Sequence, residues 1–236
     1  MGHVSSGFNP NLFHPFYFVR KGLYKAIKKY AGELQGSLMD FGCGSKPYIS
    51  LFKTAEYIGV DYNGEGHNHE NEEIDVFYDG KKIPFPDGRF NAVFTSEVFE
   101  HLFNLEEILP ELHRVMKPGG KMLITCPFVW NEHEIPNDYA RYTRFALAHL
   151  LEKHGFNILK IDKSGTFVTA IFQMIVVYNK QYILPLFGFL FRFPPTRFIF
   201  KFIFIFMVNL TGVIMNAILP AKQDFYQNNI VLAEKQ

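Results

Sequence analysis

Short apolar runs alternate with helical stretches through the first two thirds of the chain, and this alternation limits the possible folds more than any other feature. Runs with the character of strands lie at 37–41, 56–60, 73–77, 90–96 and 121–126. Helices are expected after Gly44, from Glu97 to Met116 and from Thr143 to His154. A β-α-β-α order needs crossover connections between parallel strands. The sequence therefore predicts an α/β fold with a mostly parallel sheet and helices on both faces.

The remaining elements are less regular. Helical spacing of apolar residues between Phe16 and Leu34, with lysines interspersed, predicts an amphipathic helix with a basic side. That helix could pack on the sheet with a solvated lysine face, or lie on a membrane surface. Pro110 lies inside a helical stretch and predicts a kink or a new helix start, and residues 117–120 should end that helix and turn into the next strand.

Two final strands are expected at 156–162 and 228–234, which brings the sheet to seven strands. More than sixty residues lie between them, far more than a hairpin connection needs. We therefore divide the chain into three parts. These are an N-terminal amphipathic helical segment, 1–35, a core domain, 36–163 plus 224–236, and a hydrophobic helical insertion, 164–223.

Composition excludes some classes of partner. The 24 lysines and arginines nearly balance the 23 acids, so no global charge draws the chain onto nucleic acid. Cys43 and Cys126 lack the spacing of a metal site or a disulfide framework, which indicates a reducing, cytoplasmic compartment. The first residues lack the pattern of a secretory signal. A metal site from the neighbouring residues 132–134 is not expected, because adjacent side chains cannot all point at one ion.

A glycine turn follows the first predicted strand. Asp40 is followed by Gly42 and Gly44, with Cys43 between them, and glycines here allow a cofactor to lie directly over the backbone. Asp61 ends the next strand, at the spacing where a carboxylate accepts hydrogen bonds from ribose hydroxyls. The third glycine of the dinucleotide pattern is missing, so the turn is less suited to binding a pyrophosphate. A nucleoside cofactor without phosphates is favoured over NAD.

Five segments follow one another in a characteristic order. They are DFGCGS (40–45), VDYN (60–63), DGKKIPFPDGRFNAV (79–93), SEVFEHL (96–102) and ELHRVMKPGGKMLITCPF (111–128). Together they resemble the successive motifs of class I S-adenosylmethionine-dependent methyltransferases, and are closest to the ubiquinone/menaquinone methyltransferase-like (type 11) group. The resemblance implies a Rossmann-like fold and S-adenosyl-L-methionine as the cofactor.

The resemblance also implies roles for single residues. Asp40, Gly42 and Gly44, with Cys43 between the glycines, match the loop under the methionine half of the cofactor. Asp61 matches the acid that binds the ribose.

Further matches lie at the next two strand ends. Asp79 and Gly80 match the stretch beside adenine, and Ser96 and Glu97 match the end of the fourth strand, where the cofactor faces the substrate. Tyr62 could flank the adenosine or simply pack.

Two positions depart from the family pattern. Asn91 stands where the family usually has aspartate, and Ser45 replaces the third glycine of the strictest pattern. Neither residue takes part in covalent chemistry, so we expect the cofactor still to bind. The two departures put its affinity in doubt.

A polar loop, residues 130–143, follows the fifth strand and leaves the carboxyl edge of the sheet, where ligands of open α/β folds bind. His133 is the preferred general base or acceptor-orienting group, with His101 second. Further acceptor-binding candidates in this loop are Trp130, Asp138, Arg141 and Tyr142.

Structural roles remain open for the same residues. His101 could cap or pack within its helix, and Arg141 could pair with Asp138 or Glu134 as a loop staple. Thr143 could be the N-cap of the following helix.

The insertion contains two strongly apolar segments, 167–191 and 198–219, and the second is long enough to be a membrane-span candidate. A single pass is excluded because strands of one sheet flank the insertion. A double pass would carry Arg192 and Arg197 across the bilayer. We therefore expect helices that lie in the cytosolic leaflet of the inner membrane. The basic residues expected at the headgroup level are Lys180, Arg192, Arg197, Lys201 and Lys222.

Thr169, Gln173 and Lys180 fall on one helical side, so the first apolar segment is expected to be amphipathic. Two alternatives to lipid contact remain open for the insertion. It could form a hydrophobic lid over the acceptor site, or an interface in a dimer.

Methyl transfer from a sulfonium is an in-line displacement, so the protein mainly aligns a nucleophile and excludes water. We expect transfer to an oxygen, nitrogen or carbon of a small-molecule or lipid-linked acceptor, such as an isoprenoid quinone precursor or a polyprenyl-linked sugar. The alternatives are a catalytically silent cofactor-binding regulator, a membrane-anchored scaffold and an NAD-dependent oxidoreductase.

Overall fold

The computed structural model describes residues 4–64 and 72–236. Seven strands form one sheet in the order β3-β2-β1-β4-β5-β7-β6, which confirms the predicted α/β class. The strands are β1 Ser37–Phe41, β2 Glu56–Tyr62, β3 Val76–Tyr78, β4 Phe90–Ser96, β5 Met116–Pro127, β6 Phe156–Ser164 and β7 Asn228–Lys235. Strands β1 to β5 pair in parallel.

The strand order reverses at β1. The chain first builds outwards through β2 and β3, and then returns to place β4 on the other side of β1. In open α/β sheets, ligands bind outside the carboxyl ends of the strands at such a switch point. The fold thus directs attention to the residues that follow β1, β2 and β4.

Seven α-helices accompany the sheet in the described part of the chain. They are α1 Tyr17–Tyr30, α2 Leu105–Val115, α3 Arg144–Lys153, α4 Phe167–Tyr178, α5 Leu184–Leu186, α6 Pro194–Lys201 and α7 Val208–Ile218. Helix α3 begins where the Thr143 hydroxyl accepts a hydrogen bond from Ala146 N–H at 3.2 Å. The N-cap interpretation of Thr143 is confirmed.

The core lies around the central strands. Residues Leu38–Phe41 of β1 are all buried, as expected for a parallel strand covered on both faces. Helix α2 buries Leu105, Ile108, Leu112 and neighbouring residues at helical spacing against this core. Each such side chain contributes roughly 1.5–3 kcal/mol through burial.

The prediction of a helix directly after Gly44 is wrong. Within residues 45–55, all of them described, the chain forms a single 3₁₀ turn, Ile49–Leu51, before β2 begins. Lys46 has a φ of +49° and precedes Pro47, which disfavours the α conformation in the residue before it. A helix cannot propagate through that step.

The predicted continuous helix from Glu97 to Met116 is also wrong. The segment forms a 3₁₀ turn, Phe99–His101, and then α2. Glu97 has a φ of +58°, a left-handed conformation that prevents a helix from starting there. The expectation of a new helix start at Pro110 is wrong as well, because α2 runs through this exposed proline without interruption.

The predicted turn at residues 117–120 lies inside β5, which begins at Met116 rather than at Lys121. The pairing with β4 shifts register between Phe90 and Ala92. Gly119, with a φ of +72°, takes the backbone through this irregularity.

The chain forms two compact units. One contains residues 26–162 and 229–236 together with the start of the chain, and the other contains 5–25 and 163–228. The division into segments 1–35, 36–163 plus 224–236, and 164–223 stays a prediction.

Two buried amides organise the second unit. The Gln173 Oε1 accepts hydrogen bonds from Phe18 N–H and Val19 N–H at 3.1 and 3.3 Å, and its Nε2 donates to Pro15 O at 2.7 Å. Asn209 Nδ2 donates to Leu12 O at 2.8 Å. Since N–H groups in the first turn of a helix lack intrahelical partners, Gln173 satisfies the start of α1.

Helices α4 and α7 bury several polar side chains and expose apolar ones. Thr169 and Gln173 of α4, and Asn209 of α7, are buried. The exposed side chains are apolar, namely Phe167, Ile171, Ile175 and Tyr178 on α4 and Val213, Ile214 and Ile218 on α7. Lys180, expected beside Gln173, is exposed and lies in the π-helical segment Asn179–Ile183. The outer faces of these helices are therefore apolar.

Candidate functional site

The turn after β1 and the end of β2 meet directly. Asp61 Oδ2 accepts a hydrogen bond from Gly44 N–H at 2.7 Å, and its Oδ1 accepts one from Tyr62 N–H at 2.8 Å. Gly42 has a φ of +73°, and a Cβ on it would lie 2.3 Å from Val98. Only glycine fits this position, so the tight turn that holds Gly44 against Asp61 depends on it.

A cavity of about 690 Å³ opens at this edge of the sheet, within the usual size range of small-molecule sites. Its walls come from the turn after β1, the ends of β2 and β3, the segment after β4, and the polar loop after β5. The lining residues are Phe41, Gly42, Gly44, Asp61, Tyr62, Glu72, Tyr78, Asp79, Gly80, Lys81, Glu97, Val98, His101, Leu102, Phe103, Asn104, Glu134, Asn137 and Tyr139.

The cavity brings together seven of the ten predicted cofactor-binding residues. These are Gly42, Gly44, Asp61, Tyr62, Asp79, Gly80 and Glu97. The other three, Asp40, Cys43 and Ser96, do not line it, and their predicted contact with the cofactor stays a prediction. Asp40 and Cys43 are buried.

The wall after β3 is shaped by an aromatic ring and a glycine. Gly80 has a φ of +82°, and a Cβ on it would lie 2.8 Å from the Tyr62 ring. Tyr62 and Tyr78 meet edge to face, with ring centroids 5.8 Å apart. Asp79 Oδ1 accepts hydrogen bonds from Lys81 N–H and Lys82 N–H, both at 2.9 Å, and these bonds lower the pKa of this exposed carboxyl.

The end of β4 presents Glu97 to the cavity. Its N–H donates to Thr125 O at 3.0 Å, and the Thr125 hydroxyl donates to Glu97 Oε1 at 2.8 Å. Ser96 Oγ lies 2.8 Å from the same hydroxyl. Thr125 of β5 thus holds the Glu97 carboxylate in place. Ser96, the last residue of β4, contacts the same Thr125 hydroxyl.

The two predicted catalytic histidines are in contact, but they are placed differently. His101 lines the cavity, whereas His133 is absent from its lining. The two rings meet edge to face with centroids 4.7 Å apart. Burial, and next the proximity of His101, lower the pKa of His133. Their catalytic role stays a prediction, and the placement favours His101 as the group nearer to an acceptor.

The polar loop after β5 is held by an ion pair. Arg141 binds both carboxylate oxygens of Asp138, at 2.5 and 2.7 Å, and its hydrogen bonds hold the pKa of Asp138 well below the usual range. Arg141 also donates to Asn131 O at 3.0 Å, and Asp138 accepts from His133 N–H. The loop-staple interpretation of Arg141 is confirmed for its pairing with Asp138.

The predicted acceptor-binding residues Trp130, His133, Asp138, Arg141 and Tyr142 do not line the cavity. Their direct contact with an acceptor stays a prediction. Tyr142 is tied to β7, because its carbonyl accepts a hydrogen bond from Asn229 Nδ2 at 2.8 Å. These side chains build the loop that carries other lining residues.

Sequence reasoning missed several lining residues. Glu134, Asn137 and Tyr139 belong to the loop that was singled out, but nothing in its composition tells which side chains turn inwards. Phe103 and Asn104 were assigned to the interior of a continuous helix. The extended Leu102, with φ −97° and ψ 102°, separates the 3₁₀ turn from α2, so Phe103 and Asn104 lie before that helix at the cavity wall.

Glu100 lies between the histidines and the core. Its side chain has no exposed surface, and burial, and next the charge of Glu97, raise its pKa well above the ordinary value. In the described part of the chain, its Oε1 has no hydrogen-bond partner. The Nε2 of His101 lies 3.7 Å from that oxygen.

The charges around the cavity suit a cationic ligand. Among the described residues that line the cavity, five side chains are carboxylates, namely Asp61, Glu72, Asp79, Glu97 and Glu134, against one lysine, Lys81. Clefts lined by one sign of charge concentrate ligands of the opposite sign. A pyrophosphate would be repelled here, whereas a sulfonium with an ammonium group and ribose hydroxyls fits the acceptors and the glycine-lined wall.

Asp40 lies beneath the site in an apolar environment. Burial raises its pKa to about 7, and the charge of Asp61 contributes to this rise, whereas the hydrogen bond from the Tyr57 hydroxyl and the charge of Lys46 oppose it. The carboxyl is therefore half protonated near neutral pH.

Comparisons with known proteins agree with this geometry. The family model described as methyltransferase domain matches residues 16–161. A fatty-acid O-methyltransferase from Mycolicibacterium smegmatis is 35% identical over 115 residues, which are 44% of this chain and 41% of the relative. A sterol 24-C-methyltransferase from Aspergillus fumigatus is 27% identical over 188 residues, 68% of this chain and 49% of the relative.

The aligned part spans about half or less of these curated relatives. Among solved structures, phosphoethanolamine N-methyltransferase 2 from Haemonchus contortus, in complex with S-adenosyl-L-methionine, is similar with a TM-score of 0.53 at 17% identity. The likeness covers 98% of this chain and 55% of that one. At this identity the likeness concerns the fold.

The pKa of Asp40 predicts a pH-dependent stability. Because the folded state holds the proton more tightly than the unfolded chain, this carboxyl stabilises the fold fully below about pH 3.8, and that contribution is lost as pH rises through about 7. The difference corresponds to about 4 kcal/mol. Asp40→Asn keeps an acceptor for Tyr57 without this loss.

Urea unfolding of both proteins between pH 4 and pH 8 measures the effect. The free energy of unfolding of Asp40→Asn should rise relative to the unmodified chain across this range. A stability difference that stays constant with pH would contradict the assignment.

Proposed function

This chain belongs to the family of class I S-adenosylmethionine-dependent methyltransferases, and from this premise we propose that it transfers a methyl group to an amphiphilic acceptor at a lipid surface. The observation that carries the proposal is the acidic, glycine-lined cavity at the switch point of the sheet. Its charge and its position suit a cationic nucleoside. Its outer wall offers apolar rings to a second ligand.

Residues of this chain would hold the cofactor in three groups. The backbone at Gly42 and Gly44 would lie under the methionine half, and Asp61 would bind the ribose hydroxyls. Each Asp61 oxygen already accepts one backbone hydrogen bond, and a carboxylate oxygen has room for a second. Asp79 and Gly80 would lie beside adenine. When bound, S-adenosylmethionine supplies an activated methyl group on a sulfonium.

The acceptor would lie against the segment after β4 and the polar loop. Phe103 is 84% exposed and meets the Tyr139 ring edge to face at 5.4 Å, so apolar rings remain open to a ligand at the cavity wall. His101 lines the same cavity and offers a polar contact. An acceptor with one polar end and one apolar part fits both features.

A lipid surface is the proposed setting because of the second unit. The segment Pro194–Ile218 has 25 residues, and its most apolar 18-residue stretch has a mean hydropathy of 2.2, yet only 17% of that stretch is buried. The outer faces of α4 and α7 are also apolar. Residues 167–222 contain five basic side chains and no acid. Exposed apolar faces with basic residues favour an anionic membrane surface over water.

The proposed location follows from this setting. The chain would act in the cytoplasm, at the inner face of the membrane, and reach an acceptor held there. A hydrophobic lid or a dimer interface would also cover apolar faces, but neither explains the absence of acids beside five basic residues.

The cofactor assignment predicts that Asp61→Ala binds S-adenosylmethionine at least tenfold more weakly, about 1.4 kcal/mol. The substitution removes the ribose acceptor and the partner of Gly44 N–H. Isothermal titration calorimetry measures it. Asp87→Ala is the matched control, because Asp87 is exposed and does not line the cavity. Equal affinities in the two variants would argue against this site.

The acceptor assignment predicts that membranes incubated with the chain and methyl-labelled S-adenosylmethionine yield label in the lipid extract. His101→Ala should keep cofactor affinity and lose at least tenfold in label transfer, because it changes only the acceptor side of the cavity. Label found solely in water-soluble products would refute the amphiphilic acceptor. Cofactor binding without any S-adenosylhomocysteine would instead identify a catalytically silent regulator.

The surface assignment predicts sedimentation of the chain with vesicles that contain phosphatidylglycerol, and weaker sedimentation with phosphatidylcholine alone or at high salt. Replacing Phe189 and Phe193 by serine should reduce binding several-fold, since both are exposed and apolar. Phe145→Ser, on α3, removes an equally exposed ring outside the second unit and should bind as before. A chain that stays in the supernatant as a dimer would favour the dimer interface.

A further inference from the structure

We infer that Glu100, His101 and His133 form a binding site for one divalent transition-metal cation beside the cavity. Each residue offers one ligand atom, and these atoms lie within 4.8 Å of one another. Two imidazoles and one carboxylate make a ligand set suited to zinc, iron and related divalent ions. A contraction of about an ångström would bring the three atoms to the separations found around a zinc ion.

The strongest sign of a missing ligand is Glu100. Its side chain is completely buried, and its Oε1 has no hydrogen-bond partner among residues 4–64 and 72–236. Buried carboxylates are normally paired, hydrogen-bonded or bound to metal ions, because an uncompensated one is costly. The Nε2 of His101, 3.7 Å away, is too distant for a hydrogen bond. A cation between the two would satisfy both.

The His101 ring is oriented as a metal ligand. Its Nδ1 lies 2.5 Å from Asn137 O, and since a carbonyl only accepts, Nδ1 carries the hydrogen. The lone pair is then on Nε2, which lies 3.7 Å from Glu100 Oε1 and 3.7 Å from Glu134 Oε2. Histidines that bind metals usually donate their other N–H to a carbonyl or a carboxylate.

The His133 ring follows the same rule with a carboxylate. Its Nδ1 lies 3.2 Å from Asp138 Oδ2. Arg141 Nη2 is also 3.4 Å from this nitrogen, but its two hydrogens point to Asp138 Oδ2 at 2.7 Å and Asn131 O at 3.0 Å. Nδ1 therefore donates to Asp138, and Nε2 remains for a metal. This carboxylate–histidine arrangement orients a ligand and raises its basicity.

The position of the site assigns a role to the ion, and this role rests on the proposed function. His101 also lines the cavity, so an ion bound to His101 lies at the cavity wall. With three protein ligands, a divalent cation keeps a coordination position for an exchangeable oxygen. A hydroxyl or carboxylate oxygen of the acceptor would occupy it and be held beside the methyl donor.

The test uses the full chain, freed of metal with a chelator and dialysed. Isothermal titration with Zn²⁺ should give one equivalent. His133→Ala and Glu100→Gln should each weaken binding at least tenfold, and neither residue lines the cavity. His149→Ala is the matched control, because His149 is exposed on α3 and lies outside the cluster. It should bind Zn²⁺ as the unmodified chain does.

Calorimetry with S-adenosylmethionine shows that each variant is folded. If His133→Ala loses cofactor binding, this variant is not folded and its Zn²⁺ affinity does not test the site. The Zn²⁺ affinity of Glu100→Gln then decides, because glutamine keeps the volume of the side chain. Stoichiometry well below one in the intact chain, or unchanged Zn²⁺ affinity in Glu100→Gln, would overturn the site. Methyl transfer is measured separately on the metal-loaded chain, so a failed metal site (no Zn²⁺ binding) and a failed methyltransferase assignment (Zn²⁺ binding without S-adenosylhomocysteine) give different results.

Discussion

The hydrogen bond from Gly44 N–H to the Asp61 carboxylate joins the two strand ends on which the whole site depends. It requires a backbone that turns sharply at Gly42, where a Cβ would collide with Val98. It also requires that β1 and β2 be neighbours in parallel register, so that their carboxyl ends coincide. A local glycine requirement and a long-range strand pairing thus support each other. Without either, Asp61 would not face the cavity.

The electrostatics of the site follow from the same arrangement. Parallel strands end at one edge, and the acids that follow them accumulate there around one cavity. Such a concentration of carboxylates is unfavourable unless protons or cations compensate it. Burial, and to a smaller extent the charge of Asp61, raises the pKa of Asp40, and a cationic ligand would compensate the carboxylates that line the cavity.

Periodicity and turn chemistry were sufficient to predict the sheet and seven of the residues that line the cavity at its carboxyl edge. Buried parallel strands read as apolar runs, and a glycine turn is recognisable because Gly42 and Gly44 act through the backbone. The cavity wall formed by the segment after β4 was less accessible to this reasoning. Glu97 adopts a left-handed conformation and Leu102 an extended one, neither of which the sequence context reveals, and Phe103 and Asn104 therefore lie at the cavity wall and not within a helix.

The directions of the side chains in the polar loop were equally difficult to predict from the sequence. Its composition marked it correctly as the loop beside the cavity, yet the Asp138–Arg141 pair turns both residues into the loop itself. Because Asp138 and Arg141 satisfy each other's charge, the most conspicuous charges in this loop stabilise the loop itself. His133 is fixed by this scaffold and His101 by Asn137 O. Two imidazoles held by hydrogen bonds to this one loop, with ligand atoms that lie within 4.8 Å of each other and of the buried Glu100 carboxylate, form a preorganised cluster, and preorganisation of this kind favours a bound ion over a mobile general base.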